Sequence, residues 1–168
     1  MVEIRDLRTD DIDAVLAITD SQLGEKYITE TDLSEGKVFV AEEDGKILGF
    51  CIALDGTKDG KPYVRTVAVA QEFSGQGIGT ALVAKAVEYL SSLGAKKIMS
   101  PLWKHNGVIN SDVIFRRNGF RPVREIPEYW YADSLAKGYS CPVCGKGCHC
   151  TCVMYELTID NWLRRAKG

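Results

Sequence analysis

Val64-Arg-Thr-Val-Ala-Val-Ala-Gln-Glu-Phe-Ser-Gly-Gln-Gly-Ile-Gly-Thr-Ala-Leu-Val83 reads as a β-strand, a glycine-rich turn and the opening of an amphipathic helix. Gly75, Gly77 and Gly79 fall where the backbone turns and must come close to something. A side chain at such points blocks the approach, and glycine also accepts positive φ. Exposed N–H groups at a helix start, aligned with its dipole, attract phosphate oxygens. The segment therefore predicts a ligand carrying a pyrophosphate. The plain alternative is a tight strand-to-helix connection with no ligand.

Two common phosphate loops fit poorly. A P-loop needs Gly-Lys-Ser/Thr after four intervening residues, and no Lys follows Gly79. The dinucleotide fingerprint places its third glycine three residues beyond the second, whereas these glycines alternate. That fingerprint usually opens a domain, and this turn lies mid-chain.

Val67-Ala-Val-Ala-Gln-Glu-Phe-Ser-Gly-Gln-Gly-Ile-Gly-Thr-Ala-Leu82 resembles the acetyl-CoA signature of the GNAT superfamily of N-acetyltransferases. The resemblance runs from about Val2 to Val123 and resumes near Cys152. It implies an α/β (α+β) fold: a mixed, mostly antiparallel sheet with helices on both faces, splayed between its fourth and fifth strands. It also implies transfer of an acetyl group from acetyl-CoA to an amine of a small molecule or protein.

Roles follow from the same resemblance. Backbone N–H groups of Gly75, Gln76, Gly77, Ile78, Gly79 and Thr80 would hold the pyrophosphate. Val67, Ala68 and Val69 would pair with the pantetheine amides as an added strand does. The Val69 N–H would stabilise charge developing on the thioester carbonyl.

The sequence departs from the family in three places. An Arg or Gln usually opens the loop, and Ser74 stands there. The family's frequent general acid is the Tyr of Leu-Tyr-x-x-x-Gly-Phe, and Ile114-Phe115-Arg-Arg-Asn-Gly119-Phe120 puts Phe115 in its place. The frequent Glu on the fifth strand falls near Trp103. The remaining polar candidates close by are His105, Asn106, Asn110 and Ser111, of which His105 has the pKa range of a base.

Around the loop the chain reads as alternating elements. Strands are expected over Val2–Leu7, Val38–Glu42, Ile47–Leu54, Tyr63–Val69, Lys97–Trp103, Phe120–Glu125 and Cys152–Thr158. Asp44-Gly45 marks a hairpin. Helices are expected after Thr9-Asp10-Asp11, briefly within Ser21–Gly36, from the glycine loop to Gly94, from an Asn110 or Ser111 cap to Arg117, and over Asp160–Lys167.

With 168 residues, 45% hydrophobic and 26% charged, the composition is that of one globular domain spanning 1–168. The net charge of −2 argues against a nucleic-acid partner. No apolar run is long enough to span a membrane and the amino terminus lacks a signal-peptide core, so the expected location is cytoplasmic. Pairing into a homodimer is left open.

Between the last two strands lies an insertion, at about 129–152, that the resemblance does not explain. It contains Cys141-Pro-Val-Cys144-Gly-Lys-Gly-Cys148-His-Cys150-Thr-Cys152. Cys-Pro-x-Cys-Gly presents two thiolates to one metal, and Cys148 and Cys150 can complete a four-thiolate site for structural Zn2+. Cys152 competes for the fourth place, and His149 should point away from Cys148 and Cys150. Free or redox-active thiols and an iron–sulfur cluster are the other readings. Glu125-Ile-Pro-Glu-Tyr-Trp-Tyr131 could line a pocket for a cationic amine, or its rings could pack the insertion onto the domain. Against the enzyme reading stands a non-catalytic acyl-CoA-binding regulatory module whose cysteines sense metal or redox state. A zinc-knuckle adaptor for protein or nucleic acid is a third.

Overall fold

Alternation along Lys37–Glu43 (β2) and Lys46–Leu54 (β3) divides their side chains between two faces. The strands meet at Asp44-Gly45, both with positive φ (52° and 79°), the conformation a tight hairpin turn demands. Phe39, Ala41, Cys51 and Ala53 face one core, whereas Val38, Val40, Phe50 and Ile52 face another. A central sheet buried on both sides must be covered on both sides.

The computed structural model describes residues 1–58 and 60–167; Asp59, in the turn-rich stretch 55–60, and Gly168 lie outside the described residues. The chain runs β1 (Glu3–Asp6), α1 (Ile12–Gln22), α2 (Glu30–Glu35), β2, β3, β4 (Tyr63–Val69) and α3 (Ile78–Ser92). There follow β5 (Lys97–Lys104), α4 (Asp112–Arg117), β6 (Arg121–Ile126), α5 (Tyr131–Lys137), β7 (Ser140–Cys141), β8 (Gly145–Lys146), β9 (Thr151–Thr158) and α6 (Ile159–Lys167).

Leu82, Val83, Ala86, Val87 and Leu90 of α3 recur at helical spacing and fill the first core. Val15 and Ile18 of α1, with Leu33 of α2, fill the second. Helices thus lie on both faces, as expected. The sheet order is β1-β2-β3-β4-β5-β9-β6, with β9 inserted between β5 and β6. All neighbours run antiparallel except β4 and β5, whose parallel pairing is confined to Tyr63 and Met99. Beyond that pair the two strands part, and the sheet is splayed between its fourth and fifth strands.

Two local features differ from the sequence expectation. Ser111 is the residue before α4, but its side chain makes no capping hydrogen bond. The insertion also holds a helix, α5, closed by Gly138 at φ 72°. Among the described residues no helix is long and apolar enough to cross a membrane.

Candidate acetyl-transfer cleft

The splay opens a cleft of about 410 Å³. One side is β4, from Arg65 to Val69, with Gln71 and Ser74 beyond its end; the other is Ser100 to Trp103 of β5. Ala70 N donates to Leu48 O at 2.8 Å, so that N–H faces β3. Backbone groups alternate sides along a strand. Ala68 therefore turns its N–H to β3 as well, and Val67 and Val69 turn theirs toward the opening. That places an unpaired ladder edge along the cleft, suited to an extended chain of amides.

The edge runs into the glycine turn. Gly75 and Gly77 have φ of 80° and 81°, and a Cβ at either would meet nothing within 4 Å. The space above them is open to a ligand. Gly77 is the residue before α3, and Ala81 N donates to Gly77 O at 3.1 Å as the first helical bond. The N–H groups of Ile78, Gly79 and Thr80 precede that bond and belong to the helix's unsatisfied first turn.

Gly79 has a different task. A Cβ there would lie 2.5 Å from Ile114 Cδ1 of α4, so this glycine lets α3 and α4 approach. Asn118 Nδ2 strengthens the same contact by donating to Thr80 O (3.1 Å) and Ile114 O (3.0 Å). Ser74, at the family's Arg/Gln position, donates its hydroxyl to Gln71 O at 3.0 Å. Its side chain closes the preceding turn.

Of the polar candidates, Asn110 and Ser111 line the cleft and His105 does not. His105 stands behind Trp103, with ring centroids 4.4 Å apart, and its Nε2 lies 3.4 Å from Asn110 Nδ2. Its buried Nδ1 has no hydrogen-bond partner. Phe115 lines the cleft, almost fully buried, with its ring edge-on to Phe120 at 5.0 Å. Nearby Tyr155 donates its hydroxyl to Asp112 and lines a separate depression with Asp112 and Arg116. Burial first, then Asp112, pushes its pKa up to about 12. It does not replace the family's tyrosine within the cleft.

The far end of the cleft comes from three distant segments that local sequence reading passed over: Tyr27, Arg65, and Tyr139 of the insertion. Burial raises the pKa of both tyrosines; Asp133, which accepts from Tyr139 Oη at 2.7 Å, raises that of Tyr139 further. Both phenols are protonated at neutral pH. Tyr27 sits in a segment of weak periodicity, and Arg65 looks like an ordinary strand residue. What marks it out is a bulge, since β3 pairs Ile52 with Thr66 and Ala53 with Val64 and leaves Arg65 between them, and a bulge is not legible in one sequence.

The insertion supplies the remaining wall through Trp130, Cys141, Pro142 and Cys148. The Sγ atoms of Cys141, Cys144, Cys148 and Cys150 all lie within 4.8 Å of one another. Cys150 Sγ is 3.5 Å from Cys144 Sγ and 3.8 Å from Cys141 Sγ. A tetrahedron with zinc–sulfur bonds of about 2.3 Å has edges of about 3.8 Å. Backbone N–H groups of Val143 and His149 donate to Cys141 Sγ and Cys144 Sγ, each at 3.4 Å. The residues present fit a four-thiolate metal site. Cys152 is outside the cluster, fully buried in β9 between Trp103 and Ile126. His149 is outside it too, stacked on Tyr131 at 4.7 Å.

Glu125 and Glu128 do not line the cleft. Glu125 accepts from Lys104 Nζ at 2.5 Å and Glu128 lies 3.5 Å from His149 Nδ1. Of the stretch from Glu125 to Tyr131 only Trp130 reaches the cleft.

The family model described as the acetyltransferase (GNAT) family matches residues 2–108. The chain belongs to this acetyltransferase family. An uncharacterized N-acetyltransferase of Chlorobaculum tepidum is 28% identical over 145 residues, 83% of this chain and 86% of that protein. The mycothiol acetyltransferase of Rothia mucilaginosa is 31% identical over 105 residues, 59% of this chain but only 29% of that protein's length. The fold is shared with an N-acetyltransferase from Staphylococcus aureus Mu50 at a TM-score of 0.72, with 17% identity over 95% of this chain and 99% of that one. A Salmonella typhimurium acetyltransferase structure with its cofactor acetyl-CoA gives a TM-score of 0.68, with 18% identity over 95% and 94% of the two chains. As a GNAT-type acyltransferase, the protein has the family's splayed sheet but neither the usual tyrosine nor the usual glutamate in its cleft.

Proposed function

We propose that this GNAT protein transfers the acetyl group of acetyl-CoA to an amine of a small molecule or protein. The observation that carries the reading is the continuity of the β4 edge, the open glycine turn and the first turn of α3. Backbone N–H groups from Gly75 to Thr80 hold the pyrophosphate, and Val67 to Val69 pair with the pantetheine arm and turn a backbone N–H to the thioester oxyanion.

The amine attacks the thioester carbonyl carbon as a neutral group, and the carbon–sulfur bond then breaks to release CoA thiolate. The proton shed by the attacking amine leaves to solvent through water in the cleft, where Asn110 is a hydrogen-bonding partner and His105 Nε2 lies 3.4 Å behind it.

Cys141, Cys144, Cys148 and Cys150 hold a Zn2+ ion in a closed structural site. It supplies ordering energy to a segment whose two strands, β7 and β8, have two residues each. Reduced thiolates suit a cytoplasmic location.

Calorimetry with acetyl-CoA and assay of thiol release against a panel of amines test the reading. The expected result is binding in the micromolar range with turnover on at least one amine. Lack of acetyl-CoA binding by folded, metal-loaded protein would refute it. Phe115 and the absence of a carboxylate along the cleft among the described residues favour one rival, a regulatory module that binds acyl-CoA without turnover; binding with no thiol release on any amine would select it.

A further inference from the structure

The cleft is lined by one cationic side chain, Arg65, and by no carboxylate among the described residues. No carboxylate of the acidic stretch at Glu125–Tyr131 reaches it.

Arg65 owes its position to a bulge. β3 and β4 pair Ile52 with Thr66 and Ala53 with Val64, leaving Arg65 as the extra residue. A bulge re-aims a side chain out of the regular alternation. The guanidinium lies 5.9 Å from the Tyr27 ring centroid, and Nη1 is 3.0 Å from Asp32 Oδ1 of α2. Asp32 is itself fixed, accepting from Thr29 N at 2.8 Å and Thr29 Oγ1 at 3.0 Å. The arginine side chain is only 16% exposed, so it is held in place and is largely out of bulk water.

A guanidinium has five N–H donors in a planar fork, more than an ion pair with one carboxylate uses, and Arg65 lines the cleft. Arg65 also lies on the correct side of the reaction centre. The glycine turn holds the pyrophosphate beyond the carboxyl end of β4, and the pantetheine arm runs back along Val69 to Val67. Arg65 is two residues before Val67, about 7 Å along the strand past the end of that arm. What meets it is the acceptor and not the CoA arm.

We propose that the acceptor is an amine that also carries a carboxylate, and that Arg65 binds this carboxylate while the amine faces the thioester. This rests on the acetyl-transfer reading above and names the substrate class of the same site. Anchoring Arg65 on Asp32 in advance leaves less freedom to lose when the substrate carboxylate arrives.

The test is a matched panel: free amino acids, their carboxamides, the corresponding decarboxylated amines and an aminoalkyl phosphonate, each assayed for thiol release and for binding to the CoA-loaded protein. At least one carboxylated amine should exceed its amide and its decarboxylated partner by about tenfold or more in kcat/KM. Arg65→Gln should remove that advantage while leaving the acetyl-CoA Kd within about twofold, and Arg65→Lys should restore part of it. Because Arg65→Gln strands Asp32, the double variant Arg65→Gln/Asp32→Asn keeps the comparison valid if the single variant folds poorly.

Equal or better use of amides and decarboxylated amines overturns the proposal while leaving acetyl transfer intact, and so does a preference for the phosphonate. Absence of both binding and turnover for every carboxylated amine overturns it as well. Failure to bind acetyl-CoA would instead strike at the activity itself.

Discussion

Gly24 and Ser140 approach so closely that a Cβ on Gly24 would lie 1.9 Å from the Ser140 carbonyl oxygen. Alongside, Ser140 N donates to Glu25 O at 3.3 Å, and the rings of Tyr27 and Tyr139 meet edge-on at 5.0 Å. This seam fastens the insertion to the connection between α1 and α2. It brings Cys141 and Cys148 into the same wall as Tyr27.

Gly24→Ala should force the seam open. The backbone at φ 118° disfavours any side chain, and the obstacle is a backbone oxygen that cannot swing aside. A loss of at least about 2 kcal/mol is expected, read as a lower Tm. Acceptor KM should rise several-fold, while the acetyl-CoA Kd stays within about twofold. An unchanged KM would mean that the seam does not shape the acceptor site.

Metal removal should act in the same direction. Treatment with a strong chelator, or Cys144→Ser at the exposed corner of the cluster, should release the ion and make the insertion sensitive to limited proteolysis. Hydrogen exchange should quicken at 139–150 and at the facing residues 24–27. Calorimetry should still find acetyl-CoA bound, because no cysteine of the cluster belongs to the glycine turn. Full metal content in Cys144→Ser would remove that cysteine from the ligand set.

The two kinds of glycine separate by mutation. Gly77→Val places a branched side chain in the open space above the turn and should weaken acetyl-CoA binding by about tenfold or more, at a strain cost of about 1–2 kcal/mol. Gly79→Ala should instead lower stability by about 1 kcal/mol through Ile114, and Gly79→Ala/Ile114→Ala should recover the part due to that collision. Acetyl-CoA titration and thermal melts of the three variants distinguish a ligand cradle from a packing site.

Acid should unfasten the edge of the sheet. Arg5 donates to both oxygens of Asp11, at 2.7 and 3.0 Å, and also reaches Glu42 at 2.8 Å. Arg5 first, with the Arg8 backbone N–H, holds the Asp11 pKa below the usual carboxylate range. A depressed folded-state pKa stabilises fully above the unfolded value of about 3.9 and loses its effect as pH falls through the folded value. Asp11→Asn should therefore cost about 1–3 kcal/mol at pH 7, and the gap to wild type should narrow in melts taken below about pH 3. A gap independent of pH would assign the loss to packing.

Much of this was legible because it is local. Val67–Val69 followed by alternating glycines and an apolar helix face spelled out strand, turn and helix, and Asp44-Gly45 spelled out the hairpin. The alternating faces of β2 and β3 foretold a sheet covered on both sides. The cysteine spacing singled out Cys141, Cys144, Cys148 and Cys150, though it left Cys152 as a rival; β9 removes Cys152 by burying it between its neighbours. Helix α5 was hidden because its aromatic entry reads equally well as a packed loop.

By itself the sequence determined the strand, glycine turn and helix start of the proposed donor half, since backbone N–H groups along one strand and one helix start depend only on contiguous residues. The tertiary structure alone decided what lines the proposed acceptor half. Arg65 faces the cleft because β3 and β4 slip by one residue at a bulge. Tyr27 and Tyr139 meet because Gly24 lets two distant segments touch. Glu125 and Glu128, promising in the sequence, are turned aside by pairing with Lys104 and by approaching His149. Each of these outcomes is set by register and packing between elements far apart in the chain, which no local pattern of residues encodes.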